Sequence, residues 1–207
     1  DLTDSNLLLH FDARNSKSYS GAGNQWFDLT GKYTATKAGS QSPTYPQFNS
    51  DGYFNFISGT LANNYCRFDV GGIPELSEVS AFVWFKTTDT TYSKTLIRMN
   101  NSDFELSVNG AGGLFIAAGT NWNDINANTT IASAVDGNWH FIGLTFDGQN
   151  LRGFFDGNQI TSNTRSTPTT TAAGTLRIGT RNDAYWQHHQ GDISIVTVYN
   201  RCLSDYE

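Results

Sequence analysis

Two segments of this chain combine aromatic rings with a fan of amide and carboxylate groups. Thr120-Asn-Trp-Asn-Asp-Ile-Asn-Ala-Asn and Arg181-Asn-Asp-Ala-Tyr-Trp-Gln-His-His each set a tryptophan among polar side chains. Sugars present apolar C–H faces and fixed hydroxyls. Rings can cover the first, and directional hydrogen bonds from Asn, Asp and Gln match the second. The residues expected to touch a ligand are therefore Trp122, Asn123, Asp124 and Asn126 in one segment. In the other they are Arg181, Asn182, Asp183, Tyr185, Trp186 and His188. The competing reading of Trp122 and Trp186 is that they fold back and anchor long loops.

Catalysis finds less to use. Retaining glycoside hydrolysis needs two carboxyl groups about 5 Å apart. The glutamates are Glu75, Glu78, Glu105 and Glu207, and Glu75 and Glu78 flank Leu76-Ser77 as solvated turn residues just before a strand. Of the histidines, His10 and His140 read as packing or edge residues of strands. Neighbouring side chains on an extended segment point apart, so His188-His189 is not expected to converge on a metal; polar contact with a ligand is expected instead. The expectation is a protein that is not an enzyme, with no catalytic residue.

Such loops need a rigid frame, and the pattern around them is β throughout. From Trp139 to Phe146 the residues split into two faces, Trp139, Phe141, Gly143 and Thr145 against His140, Ile142, Leu144 and Phe146. Asp147-Gly148 and Asp156-Gly157 then turn the chain twice, and Gly tolerates positive φ at such turns, so antiparallel hairpins follow. Further strands are read at Leu7–Phe11, 44–57, 63–69, Val79–Thr87, Lys94–Met99, Phe104–Val108 and Leu114–Ala118. Asn15–Thr36, Asn121–Thr130 and the Ser/Thr-rich Thr161–Ala173 read as loops, the last as a loop or an irregular edge. About a dozen short strands with regular turn signals imply an all-β fold of two packed antiparallel sheets, a jelly-roll sandwich.

Composition bounds the function. A length of 207 residues, 38% hydrophobic and 14% aromatic, suits one large sandwich spanning 1–207. Net charge is −6 with the basic residues scattered, whereas a nucleic-acid footprint concentrates them. No window reaches the roughly 18 apolar residues of a membrane span, and no signal peptide opens the chain, as in a mature product or an excised domain. Cys66 and Cys202 read as buried free thiols, with a single bridge between them as the alternative. Asn100-Asn101-Ser102 and Asn128-Thr129-Thr130 are glycosylation sequons, meaningful only in a secreted eukaryotic protein.

Four motifs carry a resemblance: Asp136-Gly-Asn-Trp-His, Phe155-Asp-Gly, Leu176-Arg-Ile-Gly, and Gly191 through Ser204. In this order they resemble the laminin-G-like, or concanavalin A-like, jelly-roll domains. Leu8 to Asn15, Ser18-Tyr19, Gly21 and Trp26-Phe-Asp-Leu-Thr-Gly31 are similar to the opening of jelly rolls in structural proteins of tailed phages, cyanophages in particular. The resemblance implies a module on a virion surface or outside the cell that binds cell-surface glycan. Other virion proteins and an oligomer are further partners that it implies. The rival it leaves is a structural decoration or fibre domain that binds no sugar, and the abrupt Asp205-Tyr206-Glu207 end fits a piece of a larger assembly. A third is a polysaccharide hydrolase or lyase of the same fold, although the glutamate and histidine patterns of those enzymes are missing. Relatives that bind calcium place an acidic cluster after the strand matching Leu176–Gly179. Here Asp183, with Asn63 and Asn64 from an earlier loop, offers a weak calcium site, since Ca²⁺ takes six to eight oxygens.

Overall fold

The computed structural model describes the chain except residues 1, 41–43, 57–65, 92–93, 101–103, 111, 120–124 and 181–186. Among the described residues the first six strands are β1 (Leu7–Asp12), β2 (Gln25–Phe27), β3 (Thr34–Ala38), β4 (Gln47–Asn49), β5 (Tyr53–Phe56) and β6 (Arg67–Ile73). Then come β7 (Val79–Lys86), β8 (Lys94–Met99), β9 (Phe104–Val108), β10 (Gly113–Ala118) and β11 (Ile125–Thr130). A 3₁₀ turn at Ala132–Val135 precedes β12 (His140–Phe146), β13 (Asn150–Phe155), β14 (Asn158–Thr164), β15 (Gly174–Ile178) and β16 (Gly191–Tyr199).

They form two antiparallel eight-stranded sheets. The first runs β14-β13-β12-β7-β16-β5-β4, with β1 also on β16; the second runs β11-β10-β9-β8-β15-β6-β3-β2. Half of the strand pairings join strands that are not consecutive in sequence, as in a jelly-roll sandwich. Alternation explains why each strand takes its place. In β12, His140, Ile142, Leu144 and Phe146 are buried, while Phe141 is half-buried on the other side. In β7, Ala81, Val83 and Phe85 point inward, and Phe82 and Trp84 point out.

The inward faces meet through a cluster of rings. Trp26 of the second sheet lies 5.2 Å from Phe11 and 4.8 Å from Phe54 of the first, and 5.4 Å from Phe68 beside it. Phe54 in turn packs edge-on against Phe68 at 4.8 Å and Tyr19 at 4.7 Å. Each such pair adds about 0.5–1.5 kcal/mol beyond area burial. The loop that delivers Trp26 is held by one carboxylate: buried Asp28 accepts the backbone N–H of His10 at 2.6 Å, of Thr30 at 3.1 Å and of Lys32 at 3.1 Å.

Several expectations shift. The region 15–36 contains β2 and most of β3, and 44–57 divides into two strands around a turn at Ser50–Gly52. Asn121–Thr130 is not wholly loop: its second half is β11, an edge strand. Thr161–Thr164 completes β14, the edge of the other sheet. These two edges touch, with the Asn163 side-chain amide donating to the Asn126 carbonyl at 2.7 Å, which closes one side of the sandwich. Both cysteines are free, Cys66 buried and Cys202 half-buried, so the bridge is excluded.

Phe54→Ala is expected to lower unfolding free energy by about 3–5 kcal/mol in urea titration. Phe27→Ala in β2, where the ring is 47% exposed, should stay within about 0.5 kcal/mol of the parent.

Candidate functional site

The second sheet turns Phe68 and Val70, Leu176 and Ile178, Ile97 and Met99, and Leu106 into the core. The residues between them therefore face outward. Register then aligns them across all eight strands: Gln25, Thr36, Asp69, Arg177, Arg98, Glu105, Ala117 and Asn126 stand in one row. Ser107, Phe115 and Asn128 form the start of a second row beside it.

The charged centre of the first row is ordered. Arg67 grips Asp69 through two nitrogens at 2.6 and 3.0 Å, and Arg177 Nε lies 3.8 Å from the same carboxylate. Glu105 Oε1 accepts the hydroxyls of Ser107 at 2.5 Å and Thr95 at 3.2 Å, and its Oε2 lies 3.4 Å from Arg98 Nη1. The Arg98 and Glu105 side chains are 4% exposed, against 15% for Arg177 and 29% for Asp69. Three strand spacings, about 14 Å, separate Asp69 from Glu105, beyond the separation of either glycosidase carboxylate pair. Glu75 instead accepts the Thr170 hydroxyl at 2.9 Å, and Glu78 accepts the Cys202 N–H at 2.9 Å.

Of the residues expected to bind, Trp122, Asn123, Asp124, Arg181, Asn182, Asp183, Tyr185 and Trp186 lie outside the described residues, as do Asn63 and Asn64. Asn126 is half-buried at the end of the outward row. His188 departs from the expected exposed contact. It is 7% exposed, its Nδ1 pairs with the Thr180 hydroxyl, and burial beside Lys94 and Arg67 pushes it down to about 4. His189 is buried too, with its ring 5.8 Å from Phe56, and burial pushes it down to about 4. Both rings are buried, and burial favours their uncharged form. Among the described residues no group of His, Cys, Asp and Glu is placed to hold a metal ion.

Strand direction separates the described residues that flank the two segments. Ala118 and Ile125 pair with each other, and Ala118 with Phe104, at the Met99 end of β8. Thr180 and His188 lie at its other end, where Thr95 bridges His188. The length of β8, about 20 Å for six residues, lies between them.

The outer face of the first sheet carries a file of rings. Tyr53 meets Trp139 edge-on at 5.6 Å, Trp139 lies parallel to Trp84 at 6.4 Å, and Phe141 stacks on Phe82 at 5.3 Å. Gly143 makes that last contact possible, since a Cβ there would fall 2.3 Å from the Phe82 ring. Lys86 lies over both Tyr53 and Trp139 and pairs with Asp192 at 3.0 Å. Beyond Phe82 the face opens into a groove of about 430 Å³ lined by Phe141, Phe154, Tyr199, Leu203 and Tyr206.

His140, read from sequence as packing, is also a clamp. Its Nδ1 meets Asp156 at 2.8 Å and its Nε2 meets Asp136 at 3.1 Å, joining the segment before β12 to the turn after β13 at the open end of that hairpin. Burial opposes its charge, but the two carboxylates outweigh burial and raise its pKa.

A family model described as the concanavalin A-like lectin/glucanases superfamily matches residues 58–207. No curated protein matches the chain. Among solved structures, the binding domain of botulinum neurotoxin serotype G is 16% identical with a TM-score of 0.65, covering 97% of this chain and 49% of that one. The serotype D/C binding domain is 15% identical with a TM-score of 0.63, covering 100% and 51%. This chain thus spans about half the length of those domains. The CBM40 of the Ruminococcus gnavus IT-sialidase, bound to α2,3-sialyllactose, is 19% identical with a TM-score of 0.51, covering 63% of this chain and 80% of that one. At such identities the likeness is one of fold.

The histidines predict the pH profile. His188, His189 and His10 have lowered values, so the unfolded chain binds protons first, and stability falls as pH drops from about 6.5 towards 4. His140 has the opposite sign: its contribution is complete below about 6.5 and fades as pH rises through its folded value. Urea titrations from pH 4.5 to 8.5 should show both limbs. His140→Gln is expected to flatten only the alkaline one, and His189→Gln to shallow only the acid one by about one proton.

Proposed function

The chain belongs to the concanavalin A-like lectin/glucanases superfamily, and from that premise we propose that it is a non-enzymatic glycan-recognition module. The observation that carries this reading is the outward row on the second sheet, an ordered line of carboxylate, guanidinium and amide groups from Asp69 to Asn126. Strand spacing sets successive positions about 4.8 Å apart; Arg98 and Glu105 are buried and Ala117 is apolar, so the half-buried Asp69, Arg177 and Asn126 are the groups of this row that a sugar's hydroxyls could meet. Trp122, Asn123, Asp124, Arg181, Asn182, Asp183, Tyr185 and Trp186 are the residues whose chemistry suits the rings and further polar contacts of such a site. The similarity of fold to a domain bound to α2,3-sialyllactose supports the same reading. The wide spacing of Asp69 and Glu105 supports binding without hydrolysis.

We place the module on a virion surface, in host attachment. The likeness of residues 8–31 to jelly rolls of tailed phages supports that setting. Shallow single sites there gain strength from many copies on one particle. Calcium is not required on this reading, because Asn63, Asn64 and Asp183 offer only one carboxylate.

A second reading rests on the aromatic file and groove of the first sheet, which lie beside residues 203–207. On it the chain is a structural virion domain whose first sheet packs on a neighbouring protein and binds no sugar.

A glycan array probed with the full chain, with and without chelator, separates the two. Binding is expected in both conditions, with Trp122→Ala and Trp186→Ala each weakening it about tenfold or more. Phe82→Glu, on the opposite face, should leave it intact. Retention of no glycan at all would remove the recognition reading in favour of the packing one.

A further inference from the structure

A buried hydroxyl without a partner stands at the floor of the groove beside Phe82. Thr145 is 2% exposed and lines the groove, yet its Oγ1 makes no hydrogen bond. Its direct cross-strand partner on the same face, Arg152, has an Nε in the same condition. Buried polar atoms are nearly always paired, and an unpaired one calls for a water, a ligand or another explanation.

The walls around this hydroxyl are aromatic and held in place. Gly143 has Phe82 and Phe154 as its two cross-strand partners, so no side chain stands between their rings. Phe141 and Tyr199 extend the lining. Ser80 pins the segment after β16 against the sheet: its Oγ donates to the Arg201 carbonyl and accepts the Leu203 N–H, both at 2.8 Å. Leu203 and Tyr206 thereby add a further wall.

The other polar groups of the groove already have partners. Asp205 pairs with Arg152 Nη1 at 2.8 Å, and Glu207 with Arg201 Nη2 at 2.6 Å. The Thr197 hydroxyl meets His10 Nδ1 at 2.8 Å, and the Ser204 hydroxyl donates to Glu207 at 2.9 Å. Paired charges favour an uncharged ligand. A sugar ring would bury several hydroxyls against one open partner, and each bond left unmade is costly. A flat apolar ring with a single hydroxyl suits both the lining and the one unfilled bond. At about 430 Å³ the space is of ligand-pocket size.

We infer that the groove binds an uncharged hydroxyaromatic molecule of the phenol class, its ring against Phe82, Phe154 and Tyr199 and its hydroxyl on Thr145. The site lies on the face opposite the glycan surface and does not depend on it.

The test is a titration of the full chain, followed by backbone amide shifts, with three probes. These are 4-methylphenol, toluene, which lacks the hydroxyl, and 4-methylcyclohexanol, which lacks the flat ring. 4-Methylphenol should bind about tenfold more tightly than either, with the shifts gathered around Gly143, Thr145, Phe154 and Leu203. Thr145→Val keeps the size of the side chain and should abolish the margin over toluene; Thr145→Ser should keep it. Phe154→Ala should weaken 4-methylphenol and toluene alike, by about tenfold.

No saturable binding, shifts gathered elsewhere, or a margin that survives Thr145→Val would each overturn the phenol site and leave glycan recognition untouched. Shifts at these residues that grow with protein concentration alone would give the groove to a second copy of the chain and overturn it as well.

Discussion

Everything outward on this molecule is positioned by what the two sheets do inward, where Trp26 packs against Phe11, Phe54 and Phe68. These rings come from four strands in two sheets and from sequence positions that are far apart. Their packing sets which face of each strand is buried, because a one-residue slip would exchange the inner and outer sets. Asp28 reinforces the constraint by fixing the loop that brings Trp26 in. Once Phe68 and Val70 face the core, Asp69 has nowhere to go but out. The same logic sends Arg98 and Arg177 outward beside it.

The two outer faces that result are chemically unlike. One is a file of half-buried rings around Trp84 and Trp139, closed at one end by Lys86 and Asp192. The other is an ordered polar row whose buried ion pair, Arg98 with Glu105, is supported by Thr95 and Ser107. A buried pair is poor evidence of stability in itself, since desolvation offsets much of its attraction. Its persistence in a sheet that could have closed over apolar side chains is what draws attention to this face as a working surface.

The legible parts of the sequence were those with strong local signals. Asp-Gly turns and alternation around Trp139–Phe155 specify β12 and β13, and the fold class follows from many such segments. β11 and β14 were hidden because Ile125-Asn-Ala-Asn-Thr-Thr and Asn158-Gln-Ile-Thr-Ser-Asn-Thr are mostly polar, with only a small or isolated apolar residue such as Ala127 or Ile160 turned to the core, and so look like loops. The row was hidden for another reason: register is a property of pairing, and no local pattern tells that position 98 sits beside 177. A hint was present all the same. Phe68-Asp-Val, Ile97-Arg-Met and Leu176-Arg-Ile each set a single charge between two apolar residues, marking a strand with its charge on the face away from the core.

The separation of the two loop attachments has a consequence for size. On the glycan reading proposed above, a ligand that touched both ends of β8 would run lengthwise along the strands, as a chain of several rings. The sheet would then serve as a ruler, measuring the length of what lies on it as much as the identity of any one unit.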